Sequence, residues 1–152
     1  MNILTASEAD YLKAIYLVSL KGEIRVTKIA HHLNYSKPSV IRALKNLKEL
    51  KLIIYEPNLI EMTQEGKRRA KDIIRRDNIL KKFMIDILEI VEEVAIIDSE
   101  KIKHAVSCYT ITKLEEYVRE ILNIKTEITE INDCLYDCNN DVCTICGRFI
   151  EK

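Results

Sequence analysis

Glycine and proline are scarce in this chain. There are three glycines (Gly22, Gly66, Gly147) and two prolines (Pro38, Pro57) in 152 residues. With so few breakers beside abundant Leu, Ile, Lys and Glu, a mostly helical protein is predicted. No apolar run reaches the ~18–20 residues that a membrane span needs. The N-terminus, MNILTASEADYLK, lacks a basic start followed by an apolar stretch, so no secretory signal is read. The expectation is a cytoplasmic protein with no membrane partner. No nucleophile–base pairing, phosphate loop or paired-carboxylate cleft is found, so neither an enzyme nor a small-molecule substrate is expected. There is no internal repeat and no low-complexity segment. The length fits one or two small domains.

What the chain does have is a dense group of thiols. Cys134, Cys138, Cys143 and Cys146 fall within 13 residues, spaced C-x3-C-x4-C-x2-C. Thiolates that close repel one another unless a cation holds them. In a reducing compartment this spacing favours a metal over two disulfides or four unconnected cysteines. Cys143-Thr144-Ile145-Cys146-Gly147 has the form of a zinc-knuckle turn. Two cofactors remain open for the tail: a structural zinc ion bound by four thiolates, or an iron–sulfur cluster that senses iron or redox state. Cys108 stands apart and reads as a small packed side chain.

The formal net charge of zero conceals a division. Residues 1–88 carry 17 Lys/Arg and 10 Asp/Glu, whereas residues 89–152 carry 7 and 14. A basic half joined to an acidic half suggests a polyanion-binding head and a body that avoids the polyanion.

Hydrophobic periodicity places the elements. Residues 5–20 read as a helix capped by Ser7, with Tyr11, Leu12, Ile15, Tyr16 and Val18 apolar. After an extended Ile24–Val26, Thr27 is expected to cap a short helix, and Asn34-Tyr35 to turn. Ser36 caps a second helix to about Leu50, with Pro38 in its first turn. Val40, Ile41, Leu44 and Leu47 point inward from it, and Lys37, Ser39, Arg42, Lys45, Asn46 and Lys48 outward. Two short helices of this kind form a helix-turn-helix. Residues 52–56 and 59–62 around Pro57-Asn58 form a hairpin, which in this position is a wing. Thr63 caps a long helix from about 64 to 88. Helices over 91–107 and 110–123 follow, with Val94, Ile97, Ile102, Ala105 and Val106 facing Ile111, Leu114, Val118, Ile121 and Leu122. The surplus of apolar residues suggests pairing with a second copy.

The fold class is therefore mostly α: a winged helix-turn-helix DNA-binding domain over 1–65, a helical dimerisation domain over 66–123 joined to it by helix 64–88, and a short cysteine-rich metal-binding tail over 124–152. Candidate DNA contacts are Thr27, Lys28, Ser36, Lys37, Ser39, Arg42, Lys45, Asn46 and the wing residue Asn58. Arg reads guanine, Asn reads adenine, and Thr27, Lys28 and Asn58 hold phosphates.

The ordered segments S-E-A-D-Y-L-K-A-I-Y (7–16), R-V-T-K-I-A-H-H-L (25–33), S-x-x-S-V (36–40), L-x-x-L (44–47), L-I-I-Y-E (52–56), Met62-Thr63-Gln64-Glu65-Gly66 and His104-x-x-Ser107 resemble the diphtheria toxin repressor/manganese transport regulator (DtxR/MntR) family of metal-dependent transcriptional regulators. The resemblance implies a homodimeric repressor on a palindromic operator of double-stranded DNA. It also implies a site for Fe2+ or Mn2+ built from three helices. Asp10, Glu100 and His104 stand as that family would have them, and Asp77 stands where a histidine is expected. Lys13 and Lys103 stand where carboxylates are expected, so this second site reads as degenerate. Two ammonium groups there would supply the charge that a metal otherwise brings. The alternative is a regulator of the same type whose tail is a purely structural zinc knuckle and whose family site senses nothing.

Overall fold

The computed structural model describes residues 4–123. The elements are, in order, α1 (Ala6–Ser19), α2 (Val26–Leu33), α3 (Lys37–Glu49), β1 (Ile53–Glu56), β2 (Leu59–Met62), α4 (Gln64–Lys82), a π-helical turn (Phe83–Ile87), α5 (Glu92–Ile102) and α6 (Cys108–Ile121). The chain forms two compact units that divide at Lys71 and Asp72, inside α4. The sequence reading puts this boundary at 65/66. The cysteine tail expected over 124–152 lies outside the described residues.

In the first unit α1 begins at Thr5 rather than Ser7. The Glu8 amide donates to Thr5 Oγ1 (3.2 Å), and the Thr5 amide donates back to Glu8 Oε2 (2.9 Å). This reciprocal box satisfies two amides that the helix cannot. Ser7 is left inside the first turn. Likewise α2 starts at Val26, with Arg25 as its first cap residue and no side-chain cap. Thr27, expected to cap it, already lies in the helix, and the extended stretch before it is shorter than expected.

Asn34 ends α2 in the left-handed region (φ 55°), which Asn tolerates better than most residues. Ser36 caps α3 as expected, accepting from the Ser39 amide (3.4 Å). Leu12, Ile15, Ile29, Val40, Leu44 and Leu47 are fully buried where α1, α2 and α3 pack on one another. The hairpin pairs Ile53 with Met62 and Glu56 with Leu59 in antiparallel register. Its turn is Pro57-Asn58, with Asn58 at φ 62°.

Thr63 joins the wing to α4. Its Oγ1 accepts from the Gly66 amide (3.0 Å) and lies within donating distance of the Lys51 and Leu52 carbonyls (2.9 and 3.0 Å). Gly66 passes so close that a Cβ there would sit 2.0 Å from the Leu52 carbonyl oxygen.

The second unit packs α5 and α6 against the π-helical turn. Ile79, Leu80 and Ile111 form its core, with Ile102, Val106 and Leu114 packed on them. Phe83 and Tyr117 meet edge-on at 6.4 Å. The single helix expected over 64–88 is regular only to Lys82; Leu88 then donates to the Phe83 carbonyl five residues back. Glu89, at φ 53°, follows it. Val94, Ile97 and Ile121, expected to face inward, are instead exposed.

Candidate nucleic-acid interface

The DNA-contact candidates gather on one side of α3 and its surroundings. Val40, Ala43, Leu44 and Leu47 turn into the core, so Lys37, Arg42, Lys45 and Asn46 are left exposed on the opposite face. Ser36 is exposed and Ser39 half-buried; their hydroxyls lie 2.9 Å apart at the start of the helix. The amino end of a helix carries unpaired amides and partial positive charge, both suited to phosphate. Thr27 and Lys28 are exposed at the start of α2, where Lys28 Nζ donates to the Glu23 carbonyl (2.9 Å). Tyr35, just before α3, is steadied by Tyr11, whose ring lies 5.7 Å away. Burial pushes the Tyr11 phenol up, Tyr35 adds to this, and Arg42 opposes it.

An open cleft of about 850 Å³ lies between α3, the start of α2 and the wing. Lys45, Lys48, Arg25 and Asn58 are among its lining residues. Two of these contribute more than the sequence suggests. Lys48 Nζ donates to the Tyr55 carbonyl (2.9 Å) and to Glu56 Oε1 (2.8 Å), so it ties the wing to α3. Arg25 donates twice to Glu23 Oε2 (2.9 and 2.6 Å), and the guanidinium holds the Glu23 carboxyl below its usual range. The hairpin's register places Lys48 against it, and no local sequence signal marks that contact.

The second unit holds an ion-paired interior. Arg76, buried, pairs with Asp72 (3.3 Å) and donates to the carbonyls of Lys103 (3.0 Å) and Val106 (2.9 Å) and to Cys108 Sγ (2.6 Å). Cys108 is buried, as expected of a small side chain set apart from the other thiols. Arg75 bridges Asp72 (3.2 Å) and Glu115 (2.5 Å), and Arg119 reaches Glu115 (3.0 Å).

The residues named for a divalent ion are placed as follows. Asp77, on α4, receives Lys81 Nζ at 2.7 Å and the Ser99 hydroxyl at 3.1 Å. Glu100, on α5, receives Lys103 Nζ at 2.5 Å. His104 is half-buried beyond α5, and Asp10 lies on α1 of the first unit. Among the described residues no three or more His, Cys, Asp or Glu side chains gather in a way that would hold a metal ion. The four tail cysteines lie outside those residues.

Residues 3–59 match the family description "Iron dependent repressor, N-terminal DNA binding domain", and residues 63–123 match "Iron dependent repressor, metal binding and dimerisation domain". The HTH-type transcriptional regulator MntR of Bacillus subtilis is 32% identical over 117 residues, covering 76% of this chain and 82% of that protein. The chain belongs to the DtxR/MntR family of metal-dependent transcriptional regulators. A second family relative, an uncharacterized HTH-type transcriptional regulator of Methanocaldococcus jannaschii, is 29% identical over 120 residues, 77% of this chain and 96% of that one. Among solved structures, a manganese-dependent transcriptional repressor in complex with manganese superposes with a TM-score of 0.61 at 21% identity. That match covers 73% of this chain and 52% of the repressor, so the chain spans about half its length. The likeness places the winged helix-turn-helix fold. The DtxR/MntR chain is thus a DNA-binding regulator and not an enzyme. No helix among its described residues is long and apolar enough to cross a membrane.

Proposed function

We propose that this protein is a homodimeric repressor that grips a palindromic operator with the exposed face of α3 and braces itself on the backbone with the wing. Lys37, Ser39, Arg42 and Asn46 would read base edges, while Thr27, Lys28, Ser36, Lys45 and Asn58 hold phosphates. The observation that carries the reading is the two-sidedness of α3: one face is packed core and the other a row of exposed cationic and amide groups, beside an open cleft that Lys45 and Asn58 line. Support for pairing comes from Val91, Val94, Ile97, Tyr117 and Ile121, which expose apolar surface in the unit matched as a dimerisation domain. Enrichment of a random duplex pool on the purified protein is the test. An inverted repeat with half-sites about one helical turn apart is expected. Enrichment of no motif, or of a lone asymmetric one, contradicts the dimeric reading.

The tail is proposed to bind metal through Cys134, Cys138, Cys143 and Cys146. Their spacing, with a glycine after Cys146, supports this. A brown protein absorbing near ~400 nm after purification without oxygen identifies an iron–sulfur cluster that acts as a sensor. A colourless chain with stoichiometric zinc identifies a structural knuckle. Protein free of both, purified without chelator, overturns the metal reading.

A further inference from the structure

The unit matched as metal binding carries a cation of its own. Lys103 follows α5 directly, and its side chain is 1% exposed. Its ammonium lies 2.5 Å from Glu100 Oε2, and its carbonyl accepts from the buried Arg76 guanidinium. Asp77, buried, is engaged on one oxygen by Lys81 and on the other by Ser99. The donor set therefore does not fit a divalent ion. A hard cation such as Mn2+ takes several carboxylate or imidazole ligands at once. Here the two carboxylates named for the site, Asp77 and Glu100, each accept from a lysine. A divalent ion approaching the part-exposed Glu100 meets the Lys103 ammonium at close range, and like charges repel.

We propose that Lys103 is an internal substitute for the divalent metal. Its ammonium neutralises Glu100, as Lys81 neutralises Asp77, so that the second unit holds its folded form with no Mn2+ or Fe2+ in it. This deepens the DNA-binding reading above and rests on it in one respect: affinity for duplex does not respond to Mn2+. Any metal response of the chain then belongs to the thiolates of the tail, which favour softer ions.

The test uses the full chain stripped of metal and then titrated with Mn2+, which carboxylates favour and thiolates do not. Free Mn2+ is counted by electron paramagnetic resonance, and the melting temperature is followed alongside. The expected result is a free-ion signal equal to that of buffer and a melting temperature that Mn2+ does not move. Lys103→Met, which keeps the length of the side chain and removes its charge, is expected to melt roughly 5 °C lower in chelator, because Glu100, 42% exposed, loses its partner but keeps water. Stoichiometric loss of the free Mn2+ signal on adding wild-type protein, with a rise in melting temperature, overturns the proposal. So does a Lys103→Met chain as stable as wild type. Should Lys103→Met fail to fold, the wild-type Mn2+ count decides alone. Anisotropy of a labelled duplex in chelator and in Mn2+ separates the two readings. Equal binding in both supports the proposal, and tighter binding in Mn2+ counts against it. Binding in neither defeats the DNA-binding reading, while the Mn2+ count still decides this one.

Discussion

Gly66 shows how one missing Cβ fixes the join between the wing and α4. An alanine there would have to move either the helix or the strand, because the obstacle is the Leu52 backbone oxygen and not a pliable side chain. Gly66→Ala is expected to destabilise the protein by about 1–3 kcal/mol, as overpacking does, read from urea denaturation. Arg76 is the second position of this kind. It satisfies two carbonyls, a thiol and Asp72 from inside the fold. Arg76→Met leaves the Lys103 and Val106 carbonyls without this donor and Asp72 with Arg75 alone, and should cost about 1–3 kcal/mol, again by urea denaturation.

Asp72 is a helical neighbour of Arg76, but nothing local in the sequence marked its burial, because the carbonyls and thiol it satisfies lie some thirty positions away. By contrast Ser36 was legible, since a cap is a short-range event. Thr5 and Glu8 were equally short-range, but Ser7 offered a competing cap and only the T-x-x-E spacing distinguishes them.

Burial raises the Glu65 carboxyl, but hydrogen bonds from Arg69 and Arg68 outweigh it, and the net effect is below the usual range. A lowered folded value means that the contribution to stability is present at neutral pH and is lost as pH falls through the folded value. Glu65→Gln is therefore expected to lose stability at neutral pH and to narrow its gap from wild type in acid. A gap that stays constant with pH contradicts the assignment.

Among the elements, α3 and the wing were readable from periodicity and turn chemistry. Two short apolar runs over 52–62 with Pro57-Asn58 between them left little choice of register. The tie made by Lys48 was not readable, because it depends on that register. Lys48→Ala should change stability by less than about 1 kcal/mol, being an exposed pair, yet weaken duplex binding by freeing the wing. Unchanged anisotropy titrations would remove the wing from the interface.

The break at Phe83 in the long helix was also hidden. It ends at Glu89, a left-handed residue with none of the glycine that usually announces one. On α5 the apolar pattern misled for a different reason. Periodicity cannot tell a face turned to the core from one kept for another chain, so Val94 and Ile97 were expected inside and are found outside. Ile97→Asp is expected to shift sedimentation from dimer to monomer while the fold persists.

For the molecule as a whole, the separation of charge between the two ends of the chain was plain from composition, and it agrees with a basic reading head on the DNA-binding match. The same composition said nothing of which cations are buried. Lys81 lies four residues after Asp77 and Lys103 three after Glu100, so helical spacing alone pairs them; what the folded unit adds is the burial of Asp77 and Lys103.

The central claim is that the exposed cations of α3 neutralise DNA phosphates while the wing, through Asn58, lies along the backbone. The most direct measurement is the affinity of purified protein for a fluorescent duplex across a series of salt concentrations, for wild type and for Lys45→Ala. Wild-type binding should weaken linearly on a log–log plot, with Lys45→Ala reducing the slope by about one. Affinity that ignores salt, or the same slope in the variant, would contradict the account.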